Sequence, residues 1–192
     1  MARTHENRGA ATIAALIALA LLALALLGPS AEPAAAAKCP KADALPGDAS
    51  KQQLGEAIRC LIGKERKKAD LKKLDPVGSL TRVAEKHTDV MIKEDCLSHR
   101  CDGEKSLEDR IVNSGYPIPG GRYGFGEVTG CSRTPEAMVN AWMDSRVHRK
   151  RILGKDYRDV GVGAEKGKPD VPGCNDGRPR GVYTVIFAWR RG

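Results

Sequence analysis

The sequence predicts an α+β domain in which helices come first and antiparallel strands close the chain. Apolar residues at positions 54–62 recur at helical spacing, and Thr134 followed by Pro135 has the form of a capped helix start. Residues 182–189 form a nearly continuous apolar run, which is typical of a central strand covered on both faces. The chain of 192 residues is long enough for one such domain and a processed end.

The first 37 residues have the composition of an export signal. Arg3 and Arg8 give a basic start, residues 13–27 are apolar, and the alanines at 35–37 offer a small-residue cleavage site. Because this apolar run is shorter than the ~20 residues that cross a bilayer, we predict a secreted protein; a membrane anchor through residues 11–27 is the alternative. The predicted divisions are a signal peptide (1–37), a lead-in segment (38–49) and a folded domain (50–192).

The formal net charge of +8 belongs to the part after the signal segment, because the charges of Arg3, Glu6, Arg8 and Glu32 cancel. An exported basic surface favours anionic cell-wall polymers, lipid headgroups or acidic partners. Nucleic acid is disfavoured, since aromatic residues are sparse and no recognition helix is evident. Membrane contact would come through the basic face or an uncleaved N-terminal segment. The alternative is a basic average that only keeps the domain soluble.

All six cysteines follow the predicted cleavage site, and an even count in an exported chain indicates three disulfides. Spacing supports one pair only: Cys96 with Cys101 would close a small loop around His99. A zinc site is the rival interpretation, but the sequence contains no C-x-x-C pair. Among the many pairings that six cysteines permit, the other assignments are made by elimination, Cys39 with Cys60 and Cys131 with Cys174.

Four helices are predicted before the closing strands. Ser50 is an N-cap candidate for the first, and the charged residues 64–68 continue that helix as a solvated end. The second is predicted to start at Asp75-Pro76, since proline is tolerated in a first turn. His87 lies on its apolar stripe, where a satisfied core or cleft-floor histidine is favoured over a ligand. Ser106 caps a third, shorter helix that Gly115 stops.

The remaining elements alternate between strand and helix. Residues 122–128 are predicted to form a glycine-broken strand, and Thr134 is predicted to cap the fourth helix with Pro135 in its first turn. Residues 159–164 and 182–189 are predicted to be the two closing strands, separated by a Gly- and Pro-rich loop at 165–180.

The order of four short motifs resembles the bacterial branch of the CAP superfamily (cysteine-rich secretory, antigen 5 and pathogenesis-related 1 proteins). The motifs are Ser98-His99, Gly126-Glu127, the helical and basic stretch at 141–153, and the Gly-Val strand at 159–163. The resemblance covers residues 54–189. It implies a three-layer α-β-α sandwich with a central antiparallel sheet and a surface cleft.

CAP proteins typically present two histidines and two acidic residues in that cleft, and some members bind a divalent metal there. His99 and Glu127 match the family positions, while Val128 replaces the asparagine that usually follows the glutamate. The family histidine at the start of the last strand is absent. We hypothesise that His148 supplies the second imidazole; its alternative is a surface histidine at the negative end of a helix.

Asp144 is the nearest stand-in for the second acid, with an ordinary solvent-exposed carboxylate as the alternative. Zn or Mn would suit such imidazole and carboxylate ligands, although the sequence requires no cofactor. The resemblance implies a binding module for a lipid, a cell-envelope polymer or a protein rather than an enzyme. The alternatives are a metal-dependent hydrolase or peptidase that uses His99, Glu127 and His148, and a structural envelope component. Nucleophilic catalysis finds little support, because Ser98 lies in no nucleophile elbow.

Overall fold

Five helices surround a four-stranded sheet in the computed structural model, which describes residues 38–191 apart from 119, 168, 172 and 173. The predicted signal peptide and its alternative, an anchor at 11–27, lie outside the described residues. The elements in chain order are α1 (Lys51–Lys68), β1 (Asp75–Pro76), α2 (Gly78–Lys93), α3 (Leu107–Val112), β2 (Arg122–Ser132), α4 (Pro135–Asp144), α5 (Arg146–Ile152), β3 (Asp159–Gly167) and β4 (Arg180–Arg191).

The sheet has the order β1-β3-β4-β2, with β4 antiparallel to both of its neighbours and β1 parallel to β3. Successive residues of β4 pack alternately into two hydrophobic cores, one on each face of the sheet. Val185 and Phe187 pack with α1, α4 and α5, whereas Ile186 and Ala188 pack with α2 and α3. Helices therefore cover both faces of the sheet. The predicted α+β class and the α-β-α sandwich are confirmed, and β4 is the central strand that its apolar run indicated.

Local side-chain chemistry starts three of the helices. The Ser50 hydroxyl accepts a hydrogen bond from the Gln53 N–H at 3.2 Å, and the Gln53 side chain accepts one from the Ser50 N–H at 2.9 Å. This reciprocal pair is a capping box, which satisfies two of the unpaired donors at a helix start. Thr134 caps α4 with a single hydrogen bond, which its hydroxyl accepts from the Ala137 N–H at 3.1 Å, and Pro135 lies in the first turn. Ser106 caps α3 by accepting from the Asp109 N–H at 3.1 Å, so all three predicted caps are confirmed.

The predicted start of the second helix is wrong, because Asp75 and Pro76 form strand β1. The Asp75 N–H donates to the Arg158 carbonyl at 2.7 Å, and the Val77 N–H donates to the Val160 carbonyl at 2.9 Å. A residue that precedes proline disfavours the helical conformation, so Asp75 is free to pair with β3. The helix begins two residues after Pro76, at Gly78.

The region after Thr134 contains two helices where one was predicted. The chain turns at Ser145, which has φ −82° and ψ 118° and is at once the C-cap of α4 and the N-cap of α5. Serine is a favoured N-cap residue, yet the Ser145 side chain makes no capping hydrogen bond. Strand β2 also runs beyond its predicted end at residue 128, to Ser132.

Arg66 lies in the predicted solvated end of α1, yet it is fully buried. Its guanidinium donates to the carbonyls of Lys72, Ile152 and Gly154 at 3.0, 2.8 and 2.9 Å. The Ile152 carbonyl belongs to the last residue of α5 and the Gly154 carbonyl lies two residues beyond it, at the helix end where unpaired C=O groups favour a cation. The prediction was wrong for Arg66, because these partners are 86 and 88 residues away in the chain.

Helix α2 lies directly on β3 because that strand has glycine at two positions on one face. A Cβ at Gly161 would overlap the backbone of Leu80, and a Cβ at Gly163 would overlap the backbone of Ala84. The absence of side chains thus lets the helix backbone approach the strand.

Three disulfides link Cys39 to Cys60, Cys96 to Cys101 and Cys131 to Cys174. The Cys96–Cys101 bond encloses His99, whereas the other two join segments 21 and 43 residues apart. Across the described residues, no helix combines the length and the apolar character that a membrane crossing requires.

Candidate functional site

A cavity of about 200 Å³, here called the cleft, opens beside β2 where three parts of the chain meet. The loop between α2 and α3 contributes His99, β2 contributes Glu127, and α5 contributes His148. The structure therefore brings three of the four predicted site residues to one place. The full lining consists of His99, Leu107, Phe125, Gly126, Glu127, Val147, His148 and Arg151.

The Glu127 carboxylate is the buried centre of the cleft. Its side chain is only 2% exposed, and burial of a carboxylate is costly unless the charge is paired. One oxygen lies 2.9 Å from Nδ1 of His99, and the other accepts a hydrogen bond from Nη2 of Arg110 at 3.1 Å. Both carboxylate oxygens are thus engaged. Since Nδ1 of His99 faces Glu127, Nε2 is the ring nitrogen left for a ligand.

Arg110 connects Glu127 to the loop that carries His99. Its Nη2 also donates to the His99 carbonyl at 2.9 Å, and its Nη1 lies 3.9 Å from the Glu104 carboxylate. The side chain is 10% exposed, so these contacts take place in a largely desolvated setting. Arg110 therefore neutralises the buried acid and fixes the position of His99 with the same group.

His87 holds the loop from below, as expected for a satisfied histidine on the cleft floor. Its side chain is fully buried, with Nδ1 at 2.9 and 3.0 Å from the two Glu104 oxygens and Nε2 at 2.9 Å from the Ser98 carbonyl. Glu104 in turn accepts from the Cys101 N–H at 3.0 Å. The segment that carries His99 is thus fixed by His87, by Glu104 and by its own disulfide.

Replacing Cys96 and Cys101 together by serine is expected to loosen this loop and to lower the free energy of unfolding by about 2 kcal/mol. The Cys96–Cys101 disulfide restricts the unfolded chain and holds His99 in a short loop, and the variant loses both restraints. Urea unfolding measures the stability, and the NMR line widths of the His99 ring measure its order. The matched control is the Cys39/Cys60 serine pair, which should cost more stability and leave the His99 signals sharp. Unchanged His99 signals in the first variant would contradict the prediction.

Helix α5 forms the opposite wall of the cleft and carries its positive charge. His148 is half-buried, and burial together with the nearby His99 lowers the pKa of its imidazole below the ordinary value. Arg151 lines the same cavity, and Val147 beside it is 70% exposed. The remaining basic side chains of α5, which are Arg146, Arg149 and Lys150, are exposed.

Asp144 is not brought to the cleft. It is exposed at the end of α4 and is absent from the cavity lining. Val128, which stands where family members have asparagine, is fully buried in the core formed with α1, α4 and α5, so this position contributes packing. The cleft therefore contains two imidazoles and one acid, and no second carboxylate from the predicted position.

The donor set does not fit the Zn or Mn that the resemblance allows. Among the described residues, no group of three or more His, Cys, Asp or Glu side chains is arranged to hold a metal ion. The one carboxylate of the cleft is engaged on both oxygens by His99 and Arg110. A cation would have to compete with the Arg110 guanidinium for that charge.

Sequence reasoning missed Arg110 and Glu104, which complete the charge network under the cleft. Arg110 sits in the six-residue helix α3, between the apolar residues Leu107 and Ile111. Its burial depends on Glu127, 17 residues away, and Glu104 is paired with His87, also 17 residues away. No periodicity within so short a helix signals such partners, and only a spatial contact reveals them.

Comparison with known proteins gives matches over most of the folded part. The profile of CAP, the cysteine-rich secretory protein family, matches residues 61–184. The uncharacterized protein YkwD of Bacillus subtilis is 31% identical over 105 residues, 54% of this chain and 39% of YkwD. The uncharacterized membrane protein YlbC of the same organism is 30% identical over 103 residues, 53% of this chain and 28% of YlbC. The chain thus spans less than half the length of these relatives.

Solved structures share the fold at low sequence identity. An outer surface protein of Borrelia burgdorferi superposes with a TM-score of 0.60 at 19% identity, covering 74% of this chain and 97% of that protein. An extracellular protein of Bacillus anthracis that contains an SCP domain gives a TM-score of 0.53 at 22% identity, covering 73% of this chain and 40% of that one. At these identities the similarity shows the fold alone.

Proposed function

Since this chain belongs to the CAP family of cysteine-rich secretory proteins, we propose that it is a secreted binding module whose cleft takes a carboxylate or phosphate group. The proposal starts from the CAP fold and its three disulfides. Secretion agrees with the character of two structural neighbours, one an outer surface protein and the other an extracellular protein. The ligand class rests on the cleft itself.

The carrying observation is that the only carboxylate lining the cavity in the described chain is already neutralised. Glu127 is paired with His99 and Arg110, so it adds little negative potential at the cavity mouth. The groups left to meet a ligand are Nε2 of His99, the His148 imidazole and the Arg151 guanidinium. Imidazole and guanidinium N–H groups form charge-assisted hydrogen bonds with anionic oxygens. The cleft is therefore complementary to an anion.

The test compares two double variants of the same helix. We expect His148→Gln with Arg151→Gln to weaken binding about tenfold or more, since both side chains line the cavity. Arg149→Gln with Lys150→Gln removes basic side chains from the same helix outside the lining, and it should change affinity only about twofold.

The probes are a polyglutamate peptide, a polyglycerol-phosphate polymer, and vesicles of anionic or zwitterionic lipid, titrated by calorimetry at fixed salt. Selective loss with one probe identifies the source of the anionic group. Equal weakening in the two double variants for every probe would show that the basic face binds non-specifically and would overturn the proposal.

Binding of the anionic probe is expected to strengthen as the pH falls from about 8 to about 5. Because burial and His99 lower the pKa of His148, its imidazole gains charge only at more acidic pH, and a bound anion favours that charged form. Proton uptake, measured by calorimetry in buffers of different ionisation enthalpy, should accompany binding. His148→Gln should flatten the profile, and a pH-independent affinity in the parent protein would contradict this expectation.

The unliganded protein should show the opposite dependence of stability on pH. A lowered pKa means that the unfolded chain takes up the His148 proton first, so this residue lowers the free energy of unfolding as the pH falls through its ordinary range. Urea unfolding of the parent protein and of His148→Gln at several pH values isolates the contribution. Identical pH profiles would show that His148 does not contribute.

No observation in the cleft favours the alternative of a metal-dependent hydrolase. Such a site would require Glu127 to leave Arg110 and accept a cation. Thermal unfolding with added Zn or Mn is therefore expected to show no specific rise in melting temperature. A rise that disappears in Glu127→Gln would instead support the metal site.

A further inference from the structure

The bottom of the cleft contains backbone as well as side chains. Strand β2 is the terminal strand of the sheet in the described residues, and its segment from Phe125 to Glu127 lines the cavity. The register with β4 is unbroken over eleven residues, from Arg122 to Ser132, with no bulge and no proline. Terminal strands usually carry a bulge or a proline, because an unprotected edge pairs readily with another extended chain. Strand β2 has neither.

The outward direction of specific backbone groups follows from two hydrogen bonds. In β4, the Ala188 carbonyl accepts from the Arg158 N–H, so the backbone groups of Ala188 point away from β2. Its partner in β2 is Phe125, which is therefore a non-hydrogen-bonded pair position. In β2, the Thr129 carbonyl accepts from the Trp142 indole at 2.9 Å and so points away from β4. The alternation of an antiparallel ladder gives Phe125, Glu127 and Thr129 the same outward direction.

Two of these three residues have unpaired backbone groups. Outside the β2–β4 ladder, no hydrogen bond to the N–H or C=O of Phe125 or Glu127 is found among the described residues. Glu127 is only 5% exposed, and backbone groups that are nearly buried require a partner. At Thr129 the carbonyl is already paired with Trp142, which ends the free edge. The cleft thus contains a short edge, Phe125 to Glu127, with two donors and two acceptors.

We propose that the cleft binds an extended acidic peptide as an added strand on β2. Main-chain hydrogen bonds to Phe125 and Glu127 would hold the peptide, in the manner of strand addition at a sheet edge. Residues two apart on one strand face the same neighbour, so a three-residue segment spans both positions. This proposal rests on the proposed function, since the same cationic cleft is involved, and it names the class of ligand.

Charge and shape select the occupant. His148 and Arg151 flank the edge from α5, and His99 flanks it from the opposite wall. Acidic side chains of the peptide, or a free terminal carboxylate, would meet these groups on either side of the added strand. The cavity of about 200 Å³ accommodates only a short segment, so the rest of the ligand would extend into solvent.

The decisive experiment uses fluorescein-labelled peptides of sequence Glu-Val-Glu-Val-Glu and the whole protein. One peptide carries N-methyl groups on the valine amides and a second on the glutamate amides at positions three and five. An added strand turns alternate amides toward β2, so N-methylation of one set should weaken binding about tenfold and of the other about twofold. Purely electrostatic binding responds to the charge of the peptide and treats the two methylated forms alike.

Amide hydrogen exchange gives a second readout on the protein. Saturating parent peptide should slow exchange of the Phe125 and Glu127 amides about tenfold, while the Val128 amide, whose residue occupies a hydrogen-bonded position opposite β4, serves as the internal control. Equal affinities of the two methylated peptides, or unchanged exchange at Phe125 and Glu127, would overturn strand addition. If polyglutamate still discriminates between the cleft variant and its control, the proposed function survives that result; if it does not, both proposals fail.

Discussion

Replacing Arg110 by methionine is expected to lower the free energy of unfolding by about 3–5 kcal/mol, the cost of leaving a buried charge without its partner. The variant keeps most of the side-chain volume and removes the guanidinium. The buried Glu127 carboxylate then loses the donor to one oxygen, and the His99 carbonyl loses its donor as well. Urea unfolding at neutral pH measures the effect, and binding of the acidic probe should fall in parallel because His99 is no longer fixed.

Glu127→Gln provides the control for that result. A neutral amide lacks the charge that Arg110 balances, so the double variant Arg110→Met with Glu127→Gln should recover about half of the lost stability. Arg100→Met changes an exposed arginine that is joined to the Glu104 carbonyl, and it should cost less than about 1 kcal/mol. An equal loss of stability in the Arg100 and Arg110 variants would show that burial of the Arg110–Glu127 pair does not cause the destabilisation.

Replacing Gly161 by alanine is expected to cost about 3 kcal/mol, at the upper end of what over-packing usually costs. The added methyl group would overlap the backbone of Leu80 in α2, and a helix backbone cannot rotate aside as a side chain can. The helix must therefore move away from β3 as a whole. Thermal and urea unfolding measure the loss, and amide exchange along α2 should accelerate because the helix no longer rests on the strand.

Gly63→Ala is the matched control. Gly63 lies in the interior of α1, and a Cβ there would meet nothing within 4 Å. Since alanine favours the helix over glycine by about 0.5–1 kcal/mol, this variant should be more stable than the parent protein. Replacing glycine by alanine is thus expected to lower the stability at position 161 and to raise it at position 63. Similar effects at both positions would contradict the close helix–strand contact.

Those parts of the fold that depend on neighbouring residues could be predicted from the sequence. The start of α1 is set by Ser50 and Gln53, three residues apart, and the start of α4 by Thr134 and Pro135. The apolar run of β4 likewise indicates a strand that is buried on both faces. Each signal lies within a few residues, where propensity and capping are informative.

Elements that depend on distant partners could not be predicted in this way. Strand β1 exists because Arg158 and Val160 offer carbonyls to it, and neither is near Asp75 in the chain. The burial of Arg66 has the same origin, since its main partners are in the segment that ends α5. A pattern of local charges suggests a solvated helix end at Arg66, and only tertiary contacts reverse that expectation.

The candidate site divides along the same line. Family resemblance pointed to His99, Glu127 and His148, which the structure places around one cavity, and it also pointed to Asp144, which lies elsewhere. It gave no indication of Arg110, whose guanidinium engages one oxygen of the buried Glu127 carboxylate. The family motifs identify residues that line the cleft, whereas Arg110, which balances the charge of Glu127, belongs to α3.

The buried contact between Arg66 and the carbonyls of Ile152 and Gly154 has a consequence for how ligand preference could diversify. These hydrogen bonds join the end of α5 to the buried end of α1, so we expect α5 to keep its position when His148 or Arg151 is replaced. Under the proposed function, exchanging these two residues should alter ligand preference while the fold stays the same. On the proposed binding role, α5 is therefore the element in which new recognition side chains could be introduced without altering the fold.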